Sequence, residues 1–354
     1  MKDITDYVIY ELERDERPEP TVTVFADLNY DYIYSAPPLE ADREVMIKDF
    51  SRNLAGAGGY VSCGLAKLGA QVYLLTQLGD DDEGNLLYHE IEEYGVQGSG
   101  IRLVKGKRSP FTLIFTDDRE ETPRQVATYP GTSLDLTIDF IDYREYVARS
   151  DLVYSCNYFI LRRLREEIKF VFRFAREKGV CTSYDANAGD EWGSRGALDT
   201  LLHRIYPLTD VVFLNENEAG YVTGTDDLVS GIASICPEAT TVVIKLGVKG
   251  SLVRHRNRIF RCGVFPLKDP VRDTVGAGDS FQAAFLYFYL KKYPIELCMV
   301  LGSANAASTV QHRGGTEGQR DVKGIIRFIR TFRIMDEGNG IMSIEGTAQR
   351  GLRP

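Results

Sequence analysis

Residues Asp273-Thr274-Val275-Gly276-Ala277-Gly278-Asp279 run directly into the apolar stretch Ser280-Phe281-Gln282-Ala283-Ala284-Phe285-Leu286. Three small residues in a row leave backbone N–H groups open to an anion, with no large side chain in the way. A helix starting there adds the positive end of its dipole and completes an anion site. A carboxylate at the same helix mouth repels a resting phosphate, but it can take a proton from a group that attacks one. Asp279 as base, beside Gly276, Ala277 and Gly278, therefore points to phosphoryl transfer. The same letters also fit a plain helix start, with Asp279 as N-cap and Gln282 completing a capping box.

Four further clusters could serve such a reaction. Asn29 and Asp31 follow the β-branched run 21–26 and stand two apart, so their side chains leave one face of an extended segment. Together they can grip two hydroxyls of a polyol, or else form an Asx-type turn. Gly56-Ala57-Gly58-Gly59-Tyr60 opens a helical run that ends at Leu68-Gly69. A dinucleotide-binding reading fails there, because Ile47-Lys48-Asp49-Phe50-Ser51-Arg52 is not a buried strand leading in. A glycine-rich helix entrance against a small ligand, or a close helix–sheet contact, fits better. Asn215-Glu216-Asn217-Glu218 places Asn215 and Glu218 on one side of a first helical turn. There they can orient magnesium-bound waters near a triphosphate, or make a capping box. Lys245-Leu246-Gly247-Val248-Lys249-Gly250 closes another apolar run, and Gly247 and Gly250 allow either a close nucleotide or an ordinary turn.

Holding these groups together requires a scaffold. Apolar strand candidates recur at 21–26, 72–78, 151–156, 180–184, 211–214 and 241–246. Between them, 162–178 carries Leu164, Ile168, Val171, Phe172 and Ala175 at helical spacing. That alternation predicts an α/β fold, a mostly parallel central sheet with helices on both faces. Residues 101–131 break it with a hairpin pattern, and about 29–36 supplies another strand, which together suggest a small β-sheet lid. Residues 1–20 read as an N-terminal extension, 21–335 as one domain ending in a basic amphipathic helix over 321–335, and 336–354 as a weakly structured tail. Hydrophobic content of 44% and charged content of 26% over 354 residues mark an ordinary globular chain. A net charge of −9 argues against nucleic acid as a partner. No apolar run approaches a membrane span, and Met1-Lys2-Asp3 opens a charged segment. Six scattered cysteines, mostly within apolar runs, fit a cytoplasmic protein without structural zinc.

From about 21 to 320 the chain resembles the ribokinase-like (PfkB-type) carbohydrate kinase family. The stretch 273–281 matches that family's signature almost letter for letter. Asn215 to Glu218, Lys245 to Gly250, Asp185-Ala186-Asn187, Leu78-Gly79-Asp80-Asp81-Asp82-Glu83-Gly84 and Tyr129-Pro130-Gly131 recur in family order. The resemblance implies ATP-dependent phosphorylation of a sugar or nucleoside hydroxyl, with Asp279 as base and Gly276, Ala277 and Gly278 as anion hole. It implies Asn29, Asp31 and Gly56 as acceptor ligands, with Asn157 near an acidic position of ribose kinases. Asn215, Lys245, Gly247, Gly250 and Asn305 would bind ATP, with Asn305 lining the adenine pocket. Glu218 would act on Mg²⁺ through water, and Asp273 matches a monovalent-cation (K⁺) position of some members. Tyr60 stands where the family has Asn, and Gly189 where it has Arg, so the acceptor end departs from the pattern. Tyr60 could stack on a nucleoside base. Lys105, Lys107, Arg108 and Arg124 suit a phosphosugar or simple surface charge. A non-catalytic sugar or nucleotide sensor is the alternative from another class, and exposed lid strands suggest a homodimer.

Overall fold

The computed structural model describes residues 1–116, 125–187, 195–236 and 239–346, with the backbone alone for 195–197. Seven parallel strands form one side of a twelve-stranded sheet and run to its edge. In spatial order they are Thr241–Lys245, Val211–Asn215, Cys181–Asp185, Leu152–Cys156, Thr21–Phe25, Gln71–Gly79 and Ile101–Val104. Parallel strands are covered on both faces and so read as unbroken apolar runs. Within one strand, Val211 and Phe213 join one core cluster while Val212 and Leu214 join the other. Helices Ala57–Leu68, Ala277–Leu290 and Ile295–Thr309 cover the first face. Helix Leu164–Glu177 covers the second, burying Leu164, Ile168, Val171, Phe172 and Ala175, the set its spacing predicts. The expected sheet with helices on both faces is therefore present.

The chain ends depart from expectation. The amphipathic helix is shorter than predicted, Val322–Ile329, and Phe332 already begins a strand. Strands Phe332–Gly338 and Ile341–Gly346 form a hairpin that extends the sheet beyond Arg258–Cys262, so 336–346 is not loose. Residues 347–354 lie outside the described residues. The N-terminal stretch is docked too. Lys2–Asp3 pairs with Phe332–Gly338, and helix Thr5–Glu13 buries Val8, Ile9 and Leu12 in the core. Lys291, 3% exposed, closes this arm with bonds to Asp15 at 3.0 Å and Glu19 at 2.9 Å.

The lid is a separate four-stranded sheet, ordered Asp49–Ala55, Asn29–Ser35, Phe111–Thr116, Gln125–Tyr129. Ile101–Val104 belongs to the main sheet instead, and the lid's edge strand is 49–55, a segment without an apolar signature. Alternation on Asn29–Ser35 turns Asn29 and Asp31 to one face with Thr112 and Thr128, and Tyr30, Tyr32 and Tyr34 to the other. Asp81 ties the main body to the approach of a lid strand. Its carboxylate caps helix Asp82–Glu93 through Gly84 N–H at 2.9 Å and accepts Ser109 N–H at 2.8 Å, just before the lid strand.

Candidate active site

Between the C-terminal ends of the parallel strands and the inner lid face lies a cavity of about 970 Å³. Asn29, Asp31, Gly56, Tyr60 and Asn157 line one end, and Asn215, Lys245, Gly247 and Gly250 the other. Gly276, Ala277, Gly278 and Asp279 form the wall between. The structure thus brings thirteen of the sixteen expected positions to one surface; Glu218, Asp273 and Asn305 stand elsewhere.

Asp279 is not a helix cap. Helix Ala277–Leu290 starts after Gly276, whose φ of 69° no larger residue adopts easily, and a Cβ there would stand 2.5 Å from Gly315 Cα. Asp279 is the third residue of the first turn, where backbone N–H groups have no partner within the helix. Gln282, read as the second half of a capping box, is instead fully buried and donates to Asp185 while accepting from Tyr154. Burial pushes the Asp279 carboxyl up to about 7; Lys245 pulls it down, while Asp185 and Asp27 push it further up. A carboxylate poised near neutrality suits a general base.

The acceptor end is a hydrogen-bonded set of oxygens. Asn29 Nδ2 donates to Asp31 Oδ1 at 3.1 Å, and the Tyr60 hydroxyl donates to Asp31 Oδ2 at 2.8 Å. Burial raises Asp31 to about 6 against those two bonds. Tyr60 is 4% exposed and its ring edge packs on Gly315, so its hydroxyl serves Asp31. Asp27 is a cavity residue that the sequence reading passed over. Its Oδ1 accepts Gly58 N–H at 3.3 Å, capping helix Ala57–Leu68 from outside, and its carboxyl also takes a bond from Asn157. The available signal was its place two residues before Asn29, on the same strand-exit face. Asn157 and Asn187 both hold positive φ, at 63° and 44°, and both line the cavity. Asn187 Oδ1 is buried with no partner among the described residues. Gly189 and Arg124 lie outside the described residues, and Lys107 pairs with Asp135 at 3.3 Å rather than facing the cavity.

At the nucleotide end the sequence expectations divide. Asn215 faces the cavity and caps helix Glu216–Thr223. Its Oδ1 accepts Glu218 N–H at 2.9 Å, and Glu218 Oε2 accepts Asn215 N–H at 2.7 Å. The capping-box alternative is therefore realised, and Glu218 is 1% exposed behind Asn215. Among the described residues no group of three or more His, Cys, Asp or Glu could hold a metal by itself. Asn215 at the wall suits an ion that arrives with a nucleotide. Asp273 accepts Val275 N–H at 2.9 Å and Gly314 N–H at 3.0 Å, so it ties the cradle loop to 314. Asn305, expected to line an adenine pocket, does not line the cavity. It is 0% exposed, donates to Ser280 O at 2.9 Å and accepts Arg320 N–H at 2.9 Å, and its helix neighbours Ser303, Ala306 and Ala307 form the wall. Removing that amide strands two buried backbone groups. Asn305→Ala should cost roughly 2 kcal/mol in urea unfolding while leaving the KM for ATP unchanged.

Comparison with known proteins agrees with this geometry. The description "pfkB family carbohydrate kinase" matches residues 19–321. A sugar kinase of Archaeoglobus fulgidus is 29% identical over 255 residues, 72% of this chain and 97% of its own. A 5-dehydro-2-deoxygluconokinase of Clostridium perfringens is 25% identical over 339 residues, 92% and 96%. Arabidopsis thaliana ribokinase, solved with ribose and ATP, superposes with a TM-score of 0.74 at 22% identity, covering 88% of this chain and 99% of that one. No helix among the described residues is long and apolar enough to cross a membrane. The family match spans most of the chain, and the chain belongs to the pfkB family of carbohydrate kinases.

Proposed function

We propose that this carbohydrate kinase transfers the γ-phosphoryl group of ATP to a hydroxyl of a neutral polyhydroxy sugar, with Asp279 as the base. The observation that carries the reading is that one cavity holds Asp279 and its glycine cradle between a hydroxyl-binding end and an apolar slot. Asp31, Asn29 and Asn157 offer mainly acceptor oxygens, which suit hydroxyl donors better than a second anion. Asp279 takes the acceptor proton as its oxygen attacks. The amides of Gly276, Ala277 and Gly278 stabilise charge on the moving phosphoryl group. Mg²⁺ carried with the triphosphate supplies further charge neutralisation. Asn215, locked by Glu218, orients its waters. Gly247 and Gly250 leave room for the nucleotide, and the lid excludes competing water. The lid's outer tip, where Phe50 is 64% exposed and stacks on Tyr34, is expected to pair with a second copy.

The test is ADP release from purified protein with MgATP across hexoses, pentoses, sugar acids and nucleosides. Turnover with a neutral sugar is expected. A preference for sugar acids, the class named for the Clostridium relative, would overturn the neutral-acceptor reading. ATP binding with no turnover on any acceptor would make the chain a sensor.

A further inference from the structure

Lys245 is the one Lys or Arg among the described residues lining the cavity, in the company of Asp27, Asp31 and Asp279. A triphosphate brings several more negative charges into that space. In this structure, however, the lysine is already paired. Its Nζ donates to Asp185 Oδ2 at 2.7 Å, and the two side chains are 16% and 0% exposed. It also lies under the amide cradle, 3.5 Å from where a Cβ on Gly278 would stand. Asp185 does not depend on it alone. Asn187 N–H donates to Asp185 Oδ1 at 3.3 Å, Gln282 donates to Oδ2, and Gln282 is itself held by the Tyr154 hydroxyl at 3.0 Å. When the lysine leaves, Asp185 keeps two neutral donors, so the usual penalty for an orphaned buried carboxylate is reduced.

We propose that Lys245 is a catalytic residue that leaves Asp185 to bind the γ-phosphoryl group, and that Asp185, Gln282 and Tyr154 hold it ready between turnovers. This rests on the kinase reading above. The lysine forms no covalent bond. The acceptor oxygen bonds to phosphorus, its proton goes to Asp279, and the β–γ bridging bond breaks with its electron pair leaving on ADP. Lys245 keeps its proton throughout, because Asp185 and Asp279 outweigh the burial that opposes its charge.

Because Lys245→Met alone leaves Asp185 with a buried charge, the informative protein is the double variant Asp185→Asn/Lys245→Met, in which the pair is neutral. Calorimetry with Mg²⁺ and either ATP or ADP, without acceptor, separates γ-phosphoryl binding from the rest. The double variant is expected to lose at least ~10-fold in ATP affinity and ~10²-fold in kcat, with ADP affinity moving less than about threefold. Asp185→Asn alone, which frees the lysine, is expected to bind ATP at least as tightly as the parent despite a lower Tm. A folded double variant with the parent's ATP-to-ADP affinity ratio and a kcat within about tenfold would reduce Lys245 to a structural partner. A parent protein that neither binds ATP nor releases ADP would instead end the kinase reading.

Discussion

Asp279→Asn should lower kcat by at least ~10²-fold, the usual scale for a positioned base, with little change in the affinity for ATP. Asparagine keeps the size and the helix turn but cannot take a proton. The parent enzyme should show the base directly in its pH profile. With the carboxyl at about 7, kcat/KM for the acceptor falls about tenfold per unit as pH drops below that value. Below about 6 the fall should steepen as Asp31 protonates and its acceptor oxygens are lost. The Asn variant should lose the inflection near 7 and keep the lower one. A kcat within about tenfold of the parent, in a variant with unchanged circular dichroism, would remove Asp279 from the chemistry.

The same substitution should stabilise the protein, and the sign is fixed by the direction of the shift. The carboxyl rises from 3.8 unfolded to about 7 folded. Between those values the folded state holds the extra proton, so stability declines as pH rises, and above 7 the full cost of the buried charge remains. That cost is on the order of 4 kcal/mol. Asp279→Asn should therefore raise Tm at pH 8, with the gain shrinking toward pH 4. Equal Tm values at pH 8 would mean that the carboxylate is well solvated, and the argument for a base tuned near neutrality would go with it.

What could be read in the sequence follows from where burial imposes a pattern. Strands such as Val211–Asn215 and Thr241–Lys245 are covered on both faces, so their apolar runs had to appear in the letters. Asp49–Ala55 is a lid edge with only its last two residues buried, and nothing in Asp-Phe-Ser-Arg-Asn demands a period. The C-terminal hairpin was missed for a related reason. Phe332 continues the spacing of the helix before it, and only pairing with Ile341–Gly346 and Lys2–Asp3 makes its segment a strand. At the site, Asn29, Asp31 and the 276–279 turn were legible because local spacing sets their direction. Asn305 was not, because its partners Ser280 and Arg320 are 25 and 15 residues away and only the fold turns its amide from the cavity. Asp27 was hidden by the same cause, since the helix it caps begins thirty residues downstream.

Gly56→Ala should cost the acceptor end far more than a methyl group normally does. Gly56 holds φ at 90°, a conformation in which a Cβ is already strained. An ideal Cβ there would also stand 2.8 Å from Asn29 Oδ1 and 2.9 Å from Asp27 Oδ2. Neither side chain can yield cheaply. Asn29 is bonded to Asp31, which Tyr60 fixes from the other side, and Asp27 is held by Gly58 N–H and Asn157. Relief must therefore displace the set of oxygens that would meet the sugar. The expected result is a rise of at least ~10-fold in acceptor KM, since misplacement by about an ångström is enough to lose that much. The cradle at 276–279 sits on a different helix, so the KM for ATP should stay within about twofold and basal ATP hydrolysis without acceptor should persist. If instead both KM values rise together, the two ends of the cavity are mechanically one unit, and the division of labour between the strand-exit oxygens and the glycine cradle is wrong.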